Sequence, residues 1–128
     1  MWIHKTLCEE ACVRESAEGR PVKSGRLQRY ATESIMSQNI HPYIRNENNG
    51  NKIAVIGSGP AGLACSHRLS MLGYDVEIFE SKSKAGGLNE YGIATYKSVD
   101  NFAAKEVDWL LKIGGIKINH NKTLGVDF

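Results

Sequence analysis

Lys52-Ile53-Ala54-Val55-Ile56-Gly57-Ser58-Gly59-Pro60-Ala61-Gly62 decides the fold. Residues 52–56 are a short β-branched apolar run that reads as a strand. Residues 57–62 fit GxGxxG. From Leu63 to Leu72 the chain reads as a helix, with Gly73 as its C-terminal stop. A lone GxGxxG is weak; placed between a strand and a helix it has the context that gives it meaning. Gly57 permits the tight turn, Gly59 lets a pyrophosphate approach the backbone, and Gly62 lets helix and strand pack closely. Pro60 falls near the first helical position, where its missing N–H costs nothing. Ala61 completes the loop. The helix start then offers free N–H groups and a positive dipole end to phosphates.

Outward from the loop, Asp75–Glu80 alternates polar and apolar residues and reads as a second strand. Glu80 ends it, 21 residues after Gly59. A carboxylate there suits a ribose diol and favours an unphosphorylated 2′-hydroxyl. Glu80 and the loop are expected to face solvent when no ligand is bound. A Gly86-Gly87 turn and an irregular stretch follow. Val99, Phe102, Ala103, Val107, Leu110 and Leu111 mark an amphipathic helix ended by Gly114-Gly115, and Ile116–Ile118 reads as a third strand. This order predicts an α/β fold, a partial Rossmann-type domain with a parallel sheet over residues 52–128.

Upstream the pattern weakens. Residues 1–51 hold 3 glycines and residues 52–128 hold 10, which separates two regions of different character. Asn46–Asn51 is rich in turn formers and reads as a linker, leaving residues 1–45 as a helical region. Leu27, Tyr30, Ala31, Ser34 and Ile35 recur at helical spacing, with Ser24 as a candidate N-cap. Their apolar face is narrow, so this helix must pack on something else. Residues 13–23 read as irregular, broken by Gly19 and Pro21.

The 128 residues carry a net charge of +2 and no basic block. Residues 1–51 have 7 basic and 6 acidic side chains, and residues 52–128 have 9 and 8. A nucleic-acid partner therefore lacks electrostatic support. No apolar run approaches the roughly 18 residues of a membrane span, and the first residues lack the apolar core of a signal peptide. Three cysteines are too few for a disulfide scaffold, so a cytoplasmic setting is expected.

Glu80 to Lys97 narrows the reading. An acid, a short polar loop, Gly86-Gly87-Leu88, then Tyr91-Gly92-Ile93 and Tyr96-Lys97 resembles the FAD-binding half of the glutamate synthase small subunit and dihydropyrimidine dehydrogenase group. Leu7-Cys8-Glu9-Glu10-Ala11-Cys12-Val13-Arg14 looks like the end of that group's N-terminal iron–sulfur region. Gly25–Glu33 looks like its connecting helix, in wording nearer the bacterial dihydropyrimidine dehydrogenase members. The resemblance implies an N-terminal fragment of such a subunit. It implies FAD on Gly57, Gly59, Pro60, Ala61, Gly62, Glu80, Gly87, Leu88, Lys97 and Leu124. Ala94 and Ser98-Val99 depart from the group, which often has proline and Leu-Pro there.

The implied chemistry passes electrons from NAD(P)H through FAD and 4Fe–4S clusters to an FMN-containing partner subunit that reduces pyrimidines. No side chain of this chain needs to be a catalytic acid or base. Cys8 and Cys12 would be cluster ligands in an intact relative only. A 4Fe–4S cluster needs four ligands, and no second dinucleotide site is found, so the fragment alone is expected to be inactive. Cys65 is expected in the helix–sheet core. His4, His41, His67 and His120 share no metal-ligand spacing. Trp109 and Tyr91 could stack on a flavin, but packing within the fold suits them better. A glutamate synthase small subunit, a related oxidoreductase with another acceptor, and a nonenzymatic dinucleotide-binding or docking module stay open as alternatives.

Overall fold

The computed structural model describes residues 7–94 and 101–127. Two compact units divide between Ile40 and His41.

The first unit carries α1 (Leu7–Glu10), α2 (Val13–Glu18) and α3 (Ser24–Ser37). The stretch expected to be irregular thus contains a helix. Arg14 and Glu18 pair at 2.8 Å across one turn, and Gly19 at φ 63° ends it, its N–H bonding the Glu15 carbonyl at 3.0 Å. Gly19 is a stop at the end of a helix rather than a sign of none. Ser24 is not the N-cap of α3; Lys23 holds that place. Ser24 is the first helical residue, and its Oγ lies 2.8 Å from Cys8 Sγ. Leu27 and Tyr30 are 59% and 73% exposed, and α1, α2 and α3 bury no residue.

The second unit is built on β1 (Lys52–Ile56), α4 (Pro60–Met71), β2 (Asp75–Glu80), α5 (Leu88–Tyr91), α6 (Phe102–Leu111) and β3 (Ile116–His120). All strands are parallel, in the order β1-β2-β3. Val55 pairs with Ile78, and Ile78 with Ile118. Parallel neighbours need crossovers, which α4 and the α5–α6 stretch provide. Leu63, Val76, Ile78 and Val107 form the buried core, with Val55, Leu69, Leu110 and Ile118 packed against it.

Two expectations shift here. The helix begins at Pro60, inside the loop motif, rather than at Leu63. Cys65 is exposed and not in the core. The inward residues of α4 are Leu63, Ser66 and Ser70. At about 100° per residue, Cys65 falls roughly 200° from Leu63, on the outer side. Ser70 Oγ donates to the Gly114 carbonyl at 2.6 Å, so polar side chains take inward positions where the sequence suggested a thiol. Val99, expected in the second amphipathic helix, lies outside the described residues. The irregular stretch after Gly87 includes the single turn α5.

Residues 41–51 are bonded into the second unit. Arg45 Nη2 donates to Asp75 Oδ1 at 2.5 Å and to the Tyr74 carbonyl at 3.3 Å. Asn48 Nδ2 donates to Asp75 Oδ2 at 2.9 Å, and Asn49 N–H to the Gly73 carbonyl at 3.0 Å. Asn48 and Arg45 together hold the Asp75 carboxyl below its ordinary value. A Cβ at Gly115 would collide with the Arg45 guanidinium, and one at Gly73 with the Glu47 carbonyl. Farther along, Trp109 packs on His41, ring centroids 4.7 Å apart, and His67 lies 5.5 Å from the same imidazole. Trp109 thus packs within the fold. Burial, then the neighbouring His41, pushes the His67 pKa down. No helix among the described residues is long and apolar enough to cross a membrane.

Candidate functional site

The loop between β1 and α4 is shaped by three glycines with different reasons. Gly57 has φ +88°, a left-handed conformation that glycine adopts without strain, and its N–H bonds the Phe79 carbonyl at 2.8 Å. Gly62 needs the absence of a side chain, because a Cβ would collide with the Gly57 carbonyl oxygen. Gly59 is the contrast. Its φ of −70° and ψ of 176° suit any residue, and a Cβ there would meet nothing nearer than the Gly87 Cα at 4.0 Å. Among the described residues nothing demands glycine at 59. Gly59 is the N-cap of α4 and Pro60 its first residue, so the bare backbone lies at a helix start, where backbone N–H groups are free of intrahelical partners.

A second loop meets the first. Gly86 N–H donates to the Ser58 carbonyl at 2.9 Å. A Cβ at Gly87 would lie 2.7 Å from the Gly59 Cα, so the two backbones touch.

Glu80 differs from expectation in its surroundings. It is 7% exposed rather than solvent-facing. The reason is the strand period: Val76, Ile78 and Glu80 share the buried face of β2. Its Oε2 accepts from the Ser58 N–H at 2.8 Å and the Ser58 hydroxyl at 2.5 Å. Its Oε1 accepts from the Lys82 N–H at 2.9 Å, with the Ser81 hydroxyl at 3.4 Å. Burial raises the carboxyl pKa, but the bonds from Ser58, Lys82 and Ser81 outweigh it and hold the pKa below its ordinary value. Glu80 therefore stays ionised in a nearly closed site.

The structure brings Gly57, Gly59, Pro60, Ala61, Gly62, Glu80 and Gly87 together around one loop. Leu88 is exposed at the start of α5. Leu124 is also exposed; Lys122, two residues before it, donates its N–H to the Glu80 carbonyl at 2.9 Å. Lys97 lies outside the described residues. Tyr91 packs by its own loop: Lys82 Nζ sits 4.3 Å from its ring centroid and Lys84 N–H donates to its hydroxyl at 3.0 Å. The residue that sequence reasoning passed over is Ser58. It stood as a spacer between two glycines, yet it is fully buried. The signal was there: the alternation that turns Val76 and Ile78 inward turns Glu80 inward too, and a buried carboxylate needs donors.

The donor set fits a dinucleotide pyrophosphate: a bare backbone at Gly59 with no close clash, a helix start beneath it, and a fixed acid at the neighbouring strand end. An iron–sulfur cluster does not fit this chain equally well. Cys12 Sγ accepts from the Val22 N–H at 3.5 Å, and Cys8 is bonded to Ser24. Among the described residues no three His, Cys, Asp or Glu side chains are grouped to hold a metal ion.

A parallel sheet whose first strand runs through GxGxxG into a helix, with an acid ending the second strand, defines a Rossmann-type dinucleotide-binding fold. A family model for the NAD(P)-binding Rossmann-like domain matches residues 55–104. The chain is similar to dihydropyrimidine dehydrogenase subunits and glutamate synthase small chains. It is 33% identical, over 88% of its length and 27% of the relative's, to the NAD-dependent dihydropyrimidine dehydrogenase subunit PreT of Salmonella typhimurium. It is 40% identical, over 69% of its length and 18% of the relative's, to the glutamate synthase [NADPH] small chain of Bacillus subtilis. The chain thus spans about a quarter or less of the length of these relatives. Histamine dehydrogenase from Rhizobium sp. 4-9 superposes with a TM-score of 0.51 over 66% of this chain and 13% of that one. At 22% identity that likeness speaks for the fold alone.

Proposed function

We propose that residues 52–128 form the FAD-binding part of an NAD(P)H-dependent oxidoreductase. The observation that carries this is Gly59: a glycine that no described residue requires, at the start of α4, where a pyrophosphate would need the backbone bare. Gly57 and Gly62 shape the loop, the first N–H groups of α4 receive the phosphates, and ionised Glu80 accepts from the ribose diol. The motif from Gly86 to Lys97 favours FAD over NAD(P) as the occupant, with Gly87 and Leu88 beside the loop and Lys97 and Leu124 as further contacts. FAD bound there would supply hydride acceptance and single-electron release; the protein's part is to hold and orient it.

The names of the relatives support an NAD(P)-dependent oxidoreductase subunit, and the remainder of the reading follows the resemblance of the Glu80–Lys97 stretch. In it, electrons pass from NAD(P)H through FAD and iron–sulfur clusters to an FMN-containing partner subunit that reduces pyrimidines, in the cytoplasm. Cys8 and Cys12 would be cluster ligands in an intact relative only; in this chain Cys8 is bonded to Ser24 and Cys12 to the Val22 N–H.

Titration of the chain with FAD, NADH and NADPH tests the reading. FAD is expected to bind, and Gly59→Ala to weaken it at least about tenfold while the thermal midpoint stays within a few degrees of wild type. Equal FAD affinity in wild type and Gly59→Ala would show that the loop is only a turn.

A further inference from the structure

Glu80 has more hydrogen-bond partners than a ribose-binding acid needs, and they are unevenly divided. An ionised carboxylate has about four acceptor directions. Oε2 uses two, both on Ser58: the N–H at 2.8 Å and the hydroxyl at 2.5 Å. Oε1 uses one on the Lys82 N–H at 2.9 Å. Ser81 Oγ, at 3.4 Å from Oε1, makes a long bond, beyond the range of about 2.5–3.0 Å for a good O–H···O bond. The weakest-held acceptor direction is therefore on Oε1, where a ligand hydroxyl can replace Ser81, and both directions on Oε2 are firmly taken.

We propose that Ser58 is a positioning residue: by committing Oε2 of Glu80 to the loop, it leaves Oε1 as the single acceptor for the 2′-hydroxyl of an adenine nucleotide. This rests on the dinucleotide reading above and deepens it. Ser58 lies between Gly57 and Gly59, so the residue that fixes the acid also belongs to the loop offered to the phosphates. The loop and the ribose acceptor are then linked through one residue, whose hydroxyl adds to the backbone bonds from Ser58 and Lys82. A hydroxyl at the 2′ position is received by Oε1. A 2′-phosphate would meet an ionised carboxylate that Ser58 prevents from turning away.

The test compares ADP with 2′-deoxy-ADP, by ligand-observed NMR or by calorimetry, on the full chain. Wild type should prefer ADP by about tenfold, the scale of one hydrogen bond to a charged acceptor. Ser58→Ala keeps the backbone N–H and removes the hydroxyl. Its preference should fall below about threefold, with affinity for 2′-deoxy-ADP held within about twofold. Ser58→Cys offers similar volume with a poor donor and should show the same selective loss if the alanine variant does not fold. An equal loss for both nucleotides would make Ser58 a structural residue only and overturn the proposal. So would an unchanged preference, or failure of both variants to fold. If wild type binds neither nucleotide, the dinucleotide reading itself fails, an outcome distinct from a change in preference.

Discussion

The glycine loop and the helical first unit are held by opposite means. Around Gly57–Gly62 nearly every backbone position has a reason: a carbonyl that excludes a Cβ at Gly62, a buried acid bonded to Ser58, and a second loop against Gly59. Behind it lies a core of Leu63, Val76, Ile78 and Val107. In residues 7–40, three helices bury no residue, and α1 is joined to α3 by bonds such as Cys8 Sγ with Ser24 Oγ at 2.8 Å and Gly25 N–H to Glu9 Oε1 at 3.2 Å. A sheet places side chains in a two-residue alternation that forces a core. Short helices with a narrow apolar stripe do not.

That difference should show in stability, and the largest test lies in the second unit. Ile78→Ala removes most of a fully buried side chain and should cost about 4 kcal/mol in urea unfolding. Gly62→Ala should cost about 3 kcal/mol, because a backbone carbonyl cannot move aside as a side chain can. Gly59→Ala, three residues earlier in the same motif, should cost almost nothing; similar losses at 59 and 62 would erase the contrast drawn between these glycines.

Glu80→Ala comes next, at about 2 kcal/mol, since it strands the buried Ser58 donors. Its cost should depend on pH. The folded pKa of Glu80 is depressed, so its contribution is complete above the unfolded value near pH ~4.3. It is lost as pH falls through the folded value. The variant should therefore lose part of the acid sensitivity seen in wild type. His67 adds a smaller effect nearer neutrality. Its folded pKa is also depressed, so its contribution is full above about pH 6.5 and declines as pH falls below that. His67→Gln should flatten this segment of a thermal-midpoint curve.

The smallest effects mark the weaker side of the comparison. Tyr30→Ser in α3 and Cys65→Ser on the outer side of α4 should each change stability by under about 0.5 kcal/mol. A loss of 2 kcal/mol or more at Tyr30 would show that the helical unit depends on packing not visible within its own residues.

Local pattern explains what the sequence made legible. The β1-loop-α4-β2 order, the parallel sheet and the cluster of Gly57, Gly59, Gly62 and Glu80 follow from periodicity and glycine spacing along the chain. Cys65 was misplaced because its composition suggests core while its helical phase turns it outward. Helix α2 was missed because Gly19 was read as a breaker instead of a terminator. The role of Ser58 depends on a contact 22 residues away in sequence, which only the pairing of β1 with β2 creates.

Arg45 lying across Gly115 bears on where the chain can be divided. The unit that carries the loop begins at His41, while its first strand begins at Lys52. A protease nick or engineered start at residue 52 would remove Arg45 and Asn48, both partners of Asp75. It would also uncover Gly73 and Gly115, glycines whose missing side chains make room for that segment. The loop would survive in sequence but lose the strap under the opposite end of its sheet. Limited digestion should therefore leave a resistant core whose first residue lies near 41.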